Sequence, residues 1–253
     1  MSNKRYERIL KLLQESGRVS SQALTEQFGV SMETIRRDLQ FLEKEGYLTR
    51  IHGGALVKRQ TGIEPNYRIR EVKNLEEKRR IAKTAAALVT DGETLIIDVG
   101  TTTLELARAL LTKNDLMVIT NAIPVALTLE ENPSIRVLML GGAVRSGELS
   151  SAGPFAEQMV DAFNVDKVFL GIGGIDIAKG ITDYHMAEAN LRRHFIKAGD
   201  QLIGLADYSK FGVTALNRIC DVKALDYLVT DSRTSPRELA KFKQLGVVPI
   251  IAN

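Results

Sequence analysis

Cysteine is nearly absent from this sequence: Cys220 is the only one in 253 residues. No intrachain disulfide can form, so stability must come from a buried core. Histidine is also scarce. His52, His185 and His194 are scattered, with no cysteine beside them, so no metal site is expected. No apolar run is long enough to span a bilayer, and no membrane partner is expected. The N-terminus opens on a charged, amphipathic stretch and not on an apolar signal core, so a cytoplasmic protein is the expectation. Gly171-Ile-Gly-Gly-Ile-Asp176 lacks the full G-x-G-x-x-G spacing of a dinucleotide loop. No nucleophile elbow or triad is visible. The expectation is therefore a protein without a cofactor that is not an enzyme.

The composition is that of a globular chain, 44% hydrophobic and 26% charged. Its length suits two domains, or one large one. The net charge of +3 says little, but its distribution is informative. Residues 1–60 hold 11 Lys/Arg against 7 Asp/Glu, and the remaining residues hold 23 against 24. A mildly basic head on a neutral body suits contact with a phosphate backbone.

The head opens with three helical patterns. Tyr6, Ile9, Leu10 and Leu13 repeat at helical spacing up to Gly17. Ser20 and Ser21 are cap candidates before Ala23, Leu24 and Phe28, and Gly29 supplies a tight turn. Ser31 caps a third helix over 31–45, in which Ile35, Leu39 and Leu42 form one stripe before Gly46 stops it. Residues 47–57 read as two short strands about Gly53-Gly54, a β-wing. The winged helix-turn-helix is assigned to residues 1–57 and a linker to 58–73, since 58–66 are polar and aperiodic.

Residues 74–253 form the second domain. A helix is predicted from about Asn74 to Val89. Beyond it, seven apolar runs begin near Leu95, Met117, Val137, Val168, Leu202, Tyr227 and Val247. Helical patterns lie between most of them, such as Thr103–Leu111 and Met186–Lys197. This alternation predicts an α/β fold with a mostly parallel sheet.

On the third helix, the Ile35, Leu39 and Leu42 stripe faces the core. Glu33, Arg37 and Gln40 then point outward, Thr34 and Arg36 flank them, and Ser31 lies at the N-terminal end. A recognition helix is built this way, with Arg able to pair with guanine and Gln with adenine. In the wing, Arg50, His52 and Gly53 could approach phosphates. Asp38 is read as structural, paired locally with a basic neighbour. An isolated amphipathic helix would better suit a protein contact, with Arg36-Arg37 a solvated face. Three helices, a glycine turn, a basic stripe and a wing in this order favour operator DNA.

Ser31-Met-Glu-Thr-Ile-Arg-Arg-Asp-Leu39, then Leu42, Gly46 and Arg50-Ile-His-Gly-Gly-Ala55, resembles the head of the DeoR family of bacterial transcription regulators. The resemblance continues through Asp98-Val-Gly-Thr-Thr-Thr103, Thr120-Asn121, Gly141-Gly142, the 171–188 segment and Ala206–Gly212, and so covers essentially the whole chain. It implies a homo-oligomer, dimer or tetramer. It also implies a C-terminal sensor domain similar in fold to ribose-5-phosphate isomerase.

The residues themselves suggest a pocket. Asp98-Val-Gly100-Thr101-Thr102-Thr103 follows an apolar strand and opens a helix, which suits a phosphate cradle or an ordinary threonine-capped turn. Asn121, Gly142 and Asp176 also follow strands, and ligands of open α/β sheets bind at such ends. Arg145 either meets an anion or lies in a surface loop, and Lys210 could add positive charge. The resemblance implies that Gly100–Thr103 and Lys210 hold a sugar phosphate. It makes Asp98, Asp176, Asp183 and Glu188 candidates for its hydroxyls, with Glu188 alternatively paired with Arg192. The expected function is a repressor of carbohydrate-metabolism genes, controlled by a phosphorylated sugar. The alternatives are a sugar-phosphate isomerase with an added head, using Glu188 or Asp176 as base, and a protein-interaction adaptor.

Overall fold

The computed structural model describes residues 2–16, 18–45, 47–57, 64 and 66–253. The expected helix stops Gly17 and Gly46, and residues 58–63 and 65 of the expected linker, lie outside the described residues. Contacts divide the chain into two units, residues 1–60 and 61–253.

In the first unit, α1 (Ser2–Ser16), α2 (Ser21–Phe28) and α3 (Met32–Lys44) are joined by a sheet of β1 (Arg18–Ser20), β2 (Leu48–Ile51) and β3 (Gly54–Val57). The sheet order is β1-β3-β2, antiparallel throughout. Its core is Ile9, Leu13, Leu24, Ile35, Leu39, Leu42, Leu48 and Ala55. The helical stripes thus close on one another and on the wing. Ala23, placed with Leu24 in the second pattern, is exposed. Gly29 takes the left-handed conformation that ends α2, with its N–H on the Thr25 carbonyl at 3.0 Å.

Strand β1 was not anticipated, and it moves the wing turn by one residue. Ile51 pairs with Gly54, so the turn is His52-Gly53 and Gly54 belongs to β3. Gly54 faces Val19 of β1 so closely that a Cβ there would sit 2.0 Å from the Val19 carbonyl oxygen. The glycine pair therefore divides its work: Gly53, at φ +79°, turns the chain, and Gly54 admits a third strand.

In the second unit, seven strands form one sheet: β4 (Thr94–Ile97), β5 (Met117–Thr120), β6 (Arg136–Met139), β9 (Val165–Gly171), β12 (Gly199–Leu205), β14 (Tyr227–Asp231) and β15 (Val248–Ala252). The order is β15-β14-β12-β9-β4-β5-β6, with every pairing parallel. Alternate residues of each strand enter two separate cores. Leu95, Ile97, Phe169, Ile203 and Leu205 pack on one face with Ile81 of α5 (Leu75–Ala86), Leu106 of α6 (Thr101–Leu110) and Val125 of α7 (Ile123–Leu129). Ile96, Val168, Leu170 and Leu202 pack on the other with Val160 of α8 (Pro154–Val160), Phe195 of α9 (Met186–Ala198) and Phe242 of α10 (Pro236–Gln244). Burial on both faces explains why the strands read as continuous apolar runs.

Smaller pieces surround the strand ends. A hairpin joins β7 (Ala143–Arg145) to β8 (Ser150–Ala152), and a second sheet pairs β10 (Gly174–Asp176), β11 (Gly180–Asp183) and β13 (Asn217–Cys220). Within the expected linker, residues Tyr67–Val72 form α4, capped by Asn66, whose side chain accepts from the Arg68 N–H at 2.9 Å. Asn74 is not the start of the next helix but a left-handed residue, φ 53°, whose side chain donates to Asp207 at 2.9 Å.

Candidate functional site

On α3, the outward set is exposed as the helical spacing requires. Ser31, Glu33, Arg36, Arg37 and Gln40 are exposed and Thr34 is half-buried, while Ile35, Leu39 and Leu42 are at most 1% exposed. Ser31 caps the helix, accepting from the Thr34 N–H at 3.2 Å. Arg37 lies 3.3 Å from Glu33 one turn away, with both side chains mostly in solvent. Such a pair contributes little and leaves the guanidinium available. Arg50, His52 and Gly53 are exposed on the wing.

Asp38 differs from the expectation. It is buried, and its partner is no local neighbour but Arg5 of α1, which donates from Nε to one carboxylate oxygen and from Nη2 to the other at 3.0 Å. The carboxylate inside the Arg-Arg-Asp run thus ties the recognition helix to α1. The two arginines before it stay outward.

In the second unit, sheet topology fixes the site. From β4 the strand order runs one way through β5 and β6, and the other way through β9, β12, β14 and β15. The switch point lies between β4 and β9. A cavity opens past the carboxyl ends of these strands, where such sheets hold ligands. It is lined by Val99, Gly100, Thr101 and Thr102 after β4 and by Gly171, Ile172 and Gly173 at the end of β9. Asp183, Glu188, Arg192, Lys210, Glu64, Arg70 and Glu148 complete its wall. Gly171 is needed for this closure, since a Cβ there would sit 2.9 Å from the Val99 carbonyl oxygen.

The cavity floor is a buried ionic cluster. Arg192 donates from Nε to Asp98 at 2.7 Å, and its Nη1 lies 2.5 Å from Asp183. Asp98 also accepts the Gly171 N–H at 3.1 Å, which ties β4 to β9 at the switch point. Burial pushes the Asp98 carboxyl up to about 7, although Arg192 opposes the shift. Asp183 is held below the ordinary carboxylate value: burial raises it, and Arg192 and the His185 N–H more than offset that. Above the floor, Glu188 accepts from Arg145 at 2.9 Å and from the buried Ser150 hydroxyl at 2.6 Å. Its partner is therefore Arg145 and not Arg192.

Lys210 closes one side of the cavity. Burial lowers its ammonium, with Asp207 opposing. Among the described residues it makes no ion pair. The first turn of α6 lines the same cavity, and its leading N–H groups have no acceptor within the helix. A cation and a helix N-terminus facing one cavity favour an anion.

The structure thus brings Gly100, Thr101, Thr102, Asp183, Glu188 and Lys210 to one wall, with Asp98 beneath and Arg145 joined through Glu188. Four of the expected residues are placed elsewhere. Thr103 is fully buried, and its hydroxyl donates to the Gly100 carbonyl at 2.9 Å. Asn121 donates to the Ser151 carbonyl at 3.1 Å and so pins β5 to β8. Gly142 packs against β8, where a Cβ would meet the Ala152 carbonyl oxygen at 2.7 Å. Asp176 caps the β10–β11 turn through the Ala178 and Lys179 N–H groups at 2.8 and 2.9 Å. Glu64, Arg70, Glu148 and Arg192 were not singled out as cavity residues: Glu64 and Glu148 lie outside helices and strands, and the positions of Arg70 on α4 and Arg192 on α9 do not by themselves say what they face.

A winged helix-turn-helix joined to a doubly wound sheet with a charged switch-point cavity is the architecture of a two-part regulator. Comparison with known proteins narrows this class. Residues 5–61 match the DeoR-like helix-turn-helix domain and residues 73–232 the DeoR C terminal sensor domain. The chain is 32% identical to the HTH-type transcriptional regulator GolR of Listeria innocua, covering 98% of each protein. It is 33% identical to the glycerol-3-phosphate regulon repressor of Escherichia coli K12, covering 90% of each. Ribose 5-phosphate isomerase A from Neisseria gonorrhoeae aligns at 18% identity and TM-score 0.39, over 53% of this chain and 52% of that one. The chain belongs to the DeoR family of transcription regulators. Among the described residues, no helix is long and apolar enough to cross a membrane.

Proposed function

We propose that this protein is an operator-binding repressor of carbohydrate-metabolism genes, controlled by a phosphorylated sugar held in the switch-point cavity. The head supports the first half. Ser31, Glu33, Thr34, Arg36, Arg37 and Gln40 would enter the major groove, with Arg50, His52 and Gly53 of the wing on the flanking backbone. The relative named a glycerol-3-phosphate regulon repressor supports the repressor role and the ligand class.

The observation that carries the effector half is that Lys210 and the Gly100-Thr101-Thr102 turn meet in one cavity. The phosphoryl group would sit between them. The buried carboxylates around it, Asp183 and Glu188 foremost, would accept from sugar hydroxyls. The effector can act only by binding one arrangement of the protein better than another. A homo-oligomer, dimer or tetramer, would convert that preference into a change in the spacing of two heads.

An isomerase reading finds less support. Both oxygens of Glu188 are engaged, by Arg145 and Ser150, and Asp176 is occupied in a turn, so neither is poised as a general base. Footprinting with the purified protein tests the operator half: a protected site with a half-site repeat is expected, weakening steeply with salt. Salt-insensitive binding with no preferred site would contradict it. For the effector half, a panel of sugar phosphates should contain a member that raises the melting temperature.

A further inference from the structure

Glu64 lies four residues beyond the point where contacts divide the chain, on the stretch leading back to the head. Its carboxylate is only 12% exposed and lies in the cavity wall with Gly100, Thr101, Thr102 and Lys210. One oxygen accepts from Arg145 Nη2 at 2.6 Å, and the other lies 3.1 Å from Arg70 Nη2. Both arginines already have a carboxylate within the sensor: Glu188 for Arg145 and Glu148 for Arg70. Glu64 is thus a second acid on each.

A group of this kind has a cost as well as a contact. Removing a carboxylate from water is expensive, and the pairing must offset it. The cavity also leaves about 30 Å³ of free space between its walls. That holds a water or two, well under the roughly 300–1,000 Å³ of an open small-molecule site. A sugar phosphate can enter only if a side chain leaves. Asp98, Asp183 and Arg192 are fixed in the floor, and Glu188 is held on helix α9 with one oxygen on the buried Ser150 hydroxyl. Glu64 sits on no strand or helix, and the arginines it leaves behind stay paired.

We propose that Glu64 is an internal competitor for the effector site: its carboxylate fills space in the cavity and acts on Lys210, the cation assigned to the incoming phosphoryl group, so that ligand entry displaces the Glu64 side chain from the cavity. This rests on the effector reading of the cavity and adds what the ligand must displace. The ligand class follows from the competition. A phosphoryl dianion outcompetes a tethered carboxylate, whereas a neutral sugar does not.

The test uses the full-length protein and inorganic phosphate as probe, titrated into wild type, Glu64→Gln and Lys210→Ala. Glu64→Gln should bind phosphate about five- to tenfold more tightly than wild type. Lys210→Ala should bind it negligibly. In wild type, phosphate should also accelerate amide exchange at Glu64 and Asn66. Equal or weaker binding by Glu64→Gln, with Lys210→Ala still inactive, overturns the competition and leaves the effector reading standing. Tighter binding with unchanged exchange at Glu64 and Asn66 also overturns it, since that is a field effect without displacement. Phosphate binding to neither wild type nor Glu64→Gln, or undiminished binding to Lys210→Ala, removes the effector reading and this inference with it.

Discussion

At the scale of single residues, charge is divided between groups that are anchored and groups that are available. Asp38 is buried against Arg5, while Arg37 projects into solvent with only a weak partner in Glu33. Arg37→Ala should therefore weaken operator binding by about 1–3 kcal/mol, with a smaller loss on unrelated DNA. Fluorescence anisotropy on both sequences checks this, and an unchanged affinity would contradict any reading role. Lys78 illustrates the anchored kind. It is buried, its ammonium donates to the Arg70 carbonyl, and Asp207 and Lys210 stand nearby. Burial pulls it down to about 8, with Asp207 opposing the shift. Between about pH 8 and its ordinary 10.5, the unfolded chain holds a proton that the folded protein has released. Lys78 thus contributes stability that rises with pH across that window. Urea titrations at several pH values should show this rise in wild type relative to Lys78→Met. Parallel curves for the two proteins would refute it.

At the scale of elements, long periodic segments were legible in the sequence and short or irregular ones were not. Helix α3 was visible because three apolar residues share one stripe, and all seven central strands were visible because both of their faces are buried. Strand β1, three residues with one half-buried side chain, carries no such signal. Helix α4 has six residues and read as linker, although its Tyr67 is buried. For the site, the turn opening α6 was legible as a strand-to-helix junction, while the pairing of Gly100–Thr103 with Lys210 was expected only from the family resemblance. The cluster of Asp98, Asp183 and Arg192 was not, since it joins residues up to 94 positions apart through the crossover between β4 and β9. The wing supplies a prediction at this scale. Gly54→Ala should force β3 away from β1 and destabilise the head by about 1–3 kcal/mol, read as a lower urea midpoint. A variant as stable as wild type would mean that β1 does not pack as described.

At the scale of the whole molecule, a helix-turn-helix head and a sheet with a charged switch-point cavity share one chain. Among the described residues, the head has its own core of eight buried apolar residues, and the sensor has two cores. Each unit therefore has the means to fold by its own burial. Communication between them must run through the connecting stretch, through an oligomer interface, or both. Glu64, within the sensor unit, lines the switch-point cavity. The most direct measurement of the account is operator affinity of the full-length protein with and without the sugar phosphate that most raises its melting temperature, in wild type and in Lys210→Ala. The account predicts at least about a tenfold change in wild type, a coupling near 1.4 kcal/mol. It predicts none in Lys210→Ala, whose operator affinity without ligand should match wild type. An operator affinity indifferent to the ligand in wild type, or a full response surviving in Lys210→Ala, would contradict it.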